Sequence, residues 1–224
     1  MAEAVTPASF RDLTLAGFVD ALSSAEPVPG GGSASAVAAS LGAALVAMVA
    51  SLSDRPKYAE HAELHRSAKE SGRRLAGRLL DLADEDSTAY AGFAAAMKLP
   101  KDDEEQRAAR SDALHAAARR AAEVPLETVM ACLALVASAE SLVGRSNANA
   151  SSDLDVAALL GEAAARGAAA NVLVNLPSVG DEAWAGETTV QVMDLLDSIE
   201  ELAAATHAGV GSGEMREPVE PARA

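Results

Sequence analysis

SASAVAASLGAALVAMVASLS, Ser33 to Ser53, carries no charged residue over a length close to the ~20 residues that a membrane span requires. The run is nevertheless built from Ala, Ser and Gly with few large aliphatics. It also lacks the aromatic and basic anchors that flank a span. The neighbouring segments read as amphipathic helices of a soluble protein, so this run is expected to be a buried central helix. Small side chains at Ser33, Ala36, Ser40, Ala43, Ala44 and Ala47 let helix backbones approach closely, within one chain or across a subunit interface. An all-α, compact bundle follows.

Composition points the same way. Half of the 224 residues are hydrophobic but only 3% are aromatic, and the apolar content is mostly Ala, Leu and Val without short β-branched runs between turns. A chain of this size supports one core, and residues 1–208 are read as a single domain, with 209–224 as a disordered Gly/Glu/Pro tail. A formal net charge of -15 disfavours nucleic acid and anionic membrane surfaces, both of which need a basic face. The lone Cys132 lies in an apolar segment and has no intrachain partner, which fits a reducing cytoplasm. MAEAVTPASFRDL shows neither a basic n-region nor an apolar h-region, and a cytoplasmic location is expected.

Outward from the central run, Thr14 precedes a helical recurrence of Leu15, Phe18, Val19 and Leu22, and a Pro/Gly-rich loop spans Ser23 to Gly32. Lys57 to Met97 forms a second long helical run, expected to break near Gly72 or Gly77. KLPKDD, Lys98 to Asp103, is a connection in which Asp102 or Asp103 caps the next helix. That helix is expected to be interrupted or kinked at Val124–Pro125 before continuing to about Val143. Gly144 to Ser152 reads as a polar loop, Asp153 to Asn175 as a helix, and Glu187 to Ala205 as the last helix, with disorder after His207.

Few residues suggest chemistry. His61 and His65 are four apart beside Glu60 and Glu63, but HAELH lacks the HExxH order and no further ligands complete a site. These residues are read as an exposed charged helix face, and no metal is expected. PGGGS, Pro29 to Ser33, leads into a helix and can present free backbone N–H groups to an anion, although on local evidence a flexible helix entrance is the favoured account. SNANASSD, Ser146 to Asp153, places two amides and a carboxylate in a loop. Ser152 or Asp153 suits a helix cap there, which leaves Asn147 and Asn149 without a structural duty. Asn171 and Asn175 share one face of an otherwise apolar helix. Asp84, Glu85 and Asp86 read as a solvated acidic turn, while Asp86 and Tyr90, at i and i+4, are spaced to line a pocket.

The order of PVPGGGSASAVAASLGAALVAMVASL, DEDSTAYAGFAAAMKLPK, VPLETVMACLAL, SNANASSDLDVAALL and GAAANVLVNL resembles the formiminotransferase-cyclodeaminase C-terminal domain family, across roughly Leu13 to Asp181. Ser146 stands where the family pattern has glycine before the first asparagine, and a left-handed backbone there would be strained. The resemblance implies an all-helical homodimer that acts on a reduced folate, with no prosthetic group. Its implied activity is cyclohydrolysis of 5,10-methenyltetrahydrofolate to 10-formyltetrahydrofolate, or cyclodeamination of formimidoyltetrahydrofolate with release of ammonia. The sequence in hand shows no formiminotransferase segment upstream, which tilts the expectation toward the cyclohydrolase.

On the matching positions, Asp153 is the expected catalytic carboxylate. Pro29, Gly30, Gly31, Gly32, Ser33, Asp86, Tyr90, Lys98, Asn147, Asn149, Ser152, Asn171 and Asn175 are the expected substrate contacts. A carboxylate near the methenyl cation would stabilise it and take a proton from water, while neutral amides read the pterin edge. An anionic folate tail, polyglutamylated or not, would need local cations, for which Arg55, Lys57, Lys98 and Lys101 are available. A competing reading makes the chain a non-catalytic helical scaffold, whose glycines turn the chain and whose polar loop caps a helix.

Overall fold

The computed structural model describes residues 9–218, and all the regular elements among them are helical. Helix α1 spans Leu15–Leu22, α2 Gly31–Leu52, α3 Ala62–Met97, α4 Glu104–Leu142, α5 Ser151–Asn175 and α6 Glu182–Ser212. Side chains start several of them: Thr14 Oγ1 accepts from the Gly17 N–H at 3.0 Å, Asp103 Oδ1 from Gln106 at 2.8 Å and Asp181 Oδ1 from Trp184 at 3.0 Å. Each satisfies a donor that the first helical turn leaves free.

Helix α2 packs against α3, α4 and α5, and α4 is itself flanked by α3, α5 and α6. One buried cluster runs from Ala36, Val46 and Val49 on α2 through Leu79 and Leu82 on α3 and Leu135 and Leu142 on α4, to Leu154 on α5 and Ile199 on α6. The small residues of α2 act as expected. A Cβ on Gly42 would meet the Ala157 carbonyl of α5 at 3.0 Å. One on Gly72 of α3 would meet the Ala43 carbonyl of α2 at 2.8 Å. By length and composition α2, α4 and the Ala148–Ser178 stretch would each suffice to cross a membrane.

Four expectations need correction. Helix α3 does not break at Gly72 or Gly77: Gly72 is there because backbones touch, and its neighbours hold the helix straight through. Helix α4 is continuous across Pro125, which is buried. His61 and His65 are not on an exposed face; each is only 3% exposed. His65 Nε2 donates to the Arg145 carbonyl at 2.7 Å, whereas neither ring nitrogen of His61 has a hydrogen-bond partner among the described residues. Finally, order continues past His207. Helix α6 reaches Ser212 and ends at Gly213 in the left-handed region, after which the chain turns back. The Arg216 N–H then donates to the Gly144 carbonyl at 3.0 Å and its guanidinium pairs with Glu140 at 2.6 Å. The tail expected from 209 therefore docks as far as 218, and 219–224 lie outside the described residues.

Candidate active site

The N-terminus of α2 faces the middle of α3. Ser33, fully buried, donates its hydroxyl to Asp86 Oδ2 at 2.9 Å and to the Ala83 carbonyl at 3.1 Å. The Asp86 carboxyl fills the space that a side chain on Gly32 would take: a Cβ there would lie 2.6 Å from Cγ and 2.7 Å from Oδ2. As at Gly42 and Gly72, the missing side chain permits a close approach here. Its reason is chemical, because removing the Cβ lets a carboxyl lie on the opening turn of a helix, where N–H groups point outward.

The three consecutive acids part company. Asp84 accepts from the Ser9 hydroxyl at 2.6 Å and the Phe10 N–H at 2.8 Å, tying down the chain before α1. Glu85 pairs with Arg78 and with Arg120, the latter at 2.5 Å. Asp86 alone turns inward. Burial pushes its carboxyl above the ordinary carboxylate range, and the bonds from the Ser33 hydroxyl and N–H only partly oppose that. The solvated reading of this turn holds for Glu85 and fails for Asp86.

Asp86 opens onto a cavity of about 320 Å³ lined by Pro27, Val28, Gly30, Gly31, Gly32, Asp86, Tyr90, Phe93, Ala121, Asn171 and Asn175. Asp86, Tyr90 and Phe93 recur at i, i+4 and i+7 on α3, so one helix face forms a wall. Asn171 and Asn175 form the opposite wall from the end of α5. Asn171 Nδ2 donates to the Gly167 carbonyl at 2.9 Å, and Asn175 Nδ2 to the carbonyls of Asn171 at 2.8 Å and Ala121 at 3.0 Å. Among the described residues no Lys or Arg lines the cavity, so its chemistry is one carboxyl, a phenol and two neutral amides. A larger, more open concavity of about 690 Å³ around Val190 and Leu195 is lined by α6 alone, with Glu187, Gln191, Asp194 and Ser198 all projecting from that one helix.

Of the residues singled out from sequence, Gly30, Gly31, Gly32, Asp86, Tyr90, Asn171 and Asn175 meet at this cavity. Pro29 is buried between two lining residues, and Ser33 holds Asp86. Asn147, Asn149, Ser152 and Asp153 do not join them. They sit at the opposite end of α5, where 18 residues from Asp153 to Asn171 span roughly 27 Å. Asn147 has a structural duty after all. Its N–H donates to the Ser53 hydroxyl at 2.8 Å, and its side chain accepts from the Asn149 N–H at 3.1 Å, which ties the loop to the end of α2. Neither Ser152 nor Asp153 is the cap of α5, since both lie inside its first turn. Ser146 needs no left-handed backbone, which falls instead at Gly144. Lys98 is the C-cap of α3, 12 residues and roughly 18 Å beyond Asp86. Pro27, Val28, Phe93 and Ala121 were missed; the i+7 spacing from Asp86 was the available signal for Phe93, and adjacency to Pro29 that for Pro27 and Val28.

A half-buried acid over a helix entrance, facing an amide wall in an all-helical bundle, is the kind of polar, concave arrangement that small-molecule sites have. Residues 14–194 match the family model described as Formiminotransferase-cyclodeaminase, and the chain belongs to that family. It is 35% identical to a methenyltetrahydrofolate cyclohydrolase of Methylorubrum extorquens, with 82% of this chain and 88% of that protein aligned. It is 36% identical to a formimidoyltransferase-cyclodeaminase of Gallus gallus, with 82% of this chain aligned but only 34% of that longer protein. The fold matches the crystal structure of a formiminotetrahydrofolate cyclodeaminase from Thermotoga maritima with a TM-score of 0.82 at 26% identity, covering 90% of this chain and 98% of that one.

Proposed function

We propose that the protein is an enzyme that hydrolyses 5,10-methenyltetrahydrofolate to 10-formyltetrahydrofolate at the Asp86 cavity. The observation that carries this is a half-buried carboxyl, raised above its ordinary range by desolvation and set against the α2 entrance, in a cavity that no Lys or Arg lines among the described residues. The methenyl bridge is a delocalised cation, so the Asp86 carboxylate stabilises it and takes the proton as water oxygen bonds to the bridge carbon. The same acid then protonates the folate nitrogen as its bond to that carbon breaks, and the remaining hydroxyl proton leaves to solvent as the formyl C=O forms. A raised carboxyl suits both steps, because a group nearer the working pH gives and takes protons readily. Asp86 thus takes the role that the sequence suggested for Asp153.

The likeness to the cyclohydrolase extends over nearly all of that free-standing protein, which supports hydrolysis. The Thermotoga likeness favours cyclodeamination as the second reading. In that direction the folate nitrogen attacks the formimino carbon and gives up its proton to the formimino nitrogen, and protonated Asp86 donates the further proton with which ammonia departs. About 320 Å³ is at the small end for ligand cavities, enough for the pterin end, with the benzoylglutamate outside. The Asp86–Tyr90–Phe93 wall leads toward Lys98, the cation nearest the exit along α3, which we assign to the glutamate tail and to any further glutamates. Exposed Leu41, Met48 and Leu52 on α2 support a homodimer. A cytoplasmic location is the accompanying proposal, supported by a single cysteine, Cys132, with no second cysteine in the sequence to pair with. Purified protein is expected to accelerate the loss of methenyl absorbance over spontaneous hydrolysis without releasing ammonia from formiminotetrahydrofolate. Ammonia release would select the second reading, and inactivity on both substrates would refute both.

A further inference from the structure

Pro125 lies inside α4 yet the helix continues through it. Proline has no N–H, so the carbonyl four residues earlier, that of Ala121, loses its donor, and the ring pushes that carbonyl away from the helix axis. In this fold the missing donor comes from another helix: Asn175 Nδ2 reaches the Ala121 carbonyl at 3.0 Å. The second N–H of the same amide goes to the Asn171 carbonyl at 2.8 Å. Both acceptors are main-chain oxygens, which can bond only the NH₂ end of the amide, so the side chain cannot flip. With both hydrogens used, Asn175 is left an acceptor only, and Oδ1 is the polar atom it can offer to the cavity that it and Ala121 line.

We propose that Pro125 is a positioning residue, one that frees the Ala121 carbonyl so that Asn175 is locked with Oδ1 presented to an N–H donor of the bound heterocycle. The inference rests on the cavity being the folate site. It adds a specificity rule: the ring edge that meets Asn175 carries a hydrogen-bond donor, as the amide-and-amine edge of a pterin does. The proline therefore belongs to the binding machinery, although it does not touch substrate.

Pro125→Ala restores an N–H that draws the Ala121 carbonyl back into the α4 ladder, leaving the Asn175 amide free to turn. The side-chain amide protons of Asn175, followed by NMR hydrogen exchange without ligand, are expected to exchange at least tenfold faster in the variant. KM for the folate substrate should rise about tenfold with kcat within twofold, the pattern of lost uniform binding. Tm should stay level or rise, since a helix bond is gained. In an Asn175→Ala background the same proline change should move KM by less than twofold, because its path of action is gone. Unchanged Asn175 exchange, an additive effect on KM in the double variant, or a Pro125→Ala chain that fails to fold would each overturn the proposal. A wild-type protein that binds no folate but shows the exchange change would overturn the folate reading and leave the Pro125–Asn175 link standing.

Discussion

Gly32→Ala puts the relation between the helix entrance and the role proposed for Asp86 to a direct test. A Cβ there would lie 2.6 Å from Cγ and 2.7 Å from Oδ2 of Asp86, whereas ordinary contact begins near 3.4 Å. Asp86 sits on the middle of a packed 36-residue helix, so its side chain must rotate or shift by about 1 Å to make room. A misplacement of that size at reacting groups costs on the order of 100-fold in turnover. Stability should change far less. Losing the Ser33–Asp86 hydrogen bond costs about 1 kcal/mol, and the gain in helix propensity from Gly to Ala offsets up to about 1 kcal/mol of it. Tm should therefore stay within about 2–4 °C for a chain of this size. The assay is turnover of methenyltetrahydrofolate alongside a thermal melt. Gly31→Ala is the matched control: its Cβ meets only Asn171 Nδ2 at an ordinary 3.7 Å, and its loss should be at least tenfold smaller. Gly32→Ala with turnover within threefold of wild type, or with losses equal to those of Gly31→Ala, would refute the placement of Asp86 as the reacting acid.

Asp86→Asn should lower turnover by about 10²–10⁴-fold, the range for loss of a general acid–base, and this is measured by the same absorbance assay. The same variant should melt higher than wild type above the folded-state titration of Asp86. The folded carboxyl is held above its unfolded range, so the native state binds the proton more tightly, and stability falls as pH rises through that window. Asn has no such penalty, so a variant melting lower than wild type at alkaline pH would contradict the burial argument. Asp153→Asn, at the far end of α5, is expected to keep turnover within about threefold; a loss comparable to that of Asp86→Asn would return the catalytic role to Asp153. His61 is buried and held below the ordinary histidine range, first by desolvation and with Glu60 partly opposing. Its contribution is present above the unfolded histidine range and is lost as pH falls toward the folded value. The fall in Tm on acidification should accordingly be shallower in His61→Phe, and equal slopes for the two proteins would rule His61 out.

Much of this protein can be read from local chemistry. Thr14, Asp103 and the Asn175 end of α5 mark helix boundaries because capping and turn preferences are properties of a few adjacent residues. The Ala/Ser/Gly run at Ser33 to Ser53 announces a close-packed helix because small side chains have little other use there. Family membership follows from the order of five motifs. Local sequence separates Asp86 from Asp84 and Glu85 only through its i, i+4 spacing to Tyr90; the role each acid takes depends on what lies opposite it: Ser9 and the Phe10 N–H, two arginines, and the α2 entrance. Nor can it tell that Asn147 secures a loop while Asn175, an identical side chain, borders a cavity.

Pro125 shows why most plainly. By itself a proline in a helix predicts a break, since it removes one bond and crowds one carbonyl. Tertiary structure alone supplied a replacement donor from a residue 54 positions away in sequence, and thereby kept the helix continuous. Helix positions and family were determined by the sequence itself, because their causes lie within a few residues. Which carboxyl turns inward, and which amide is locked at its side, was decided only by the packing of α2, α3, α4 and α5, because burial and hydrogen-bond satisfaction are properties of the folded neighbourhood.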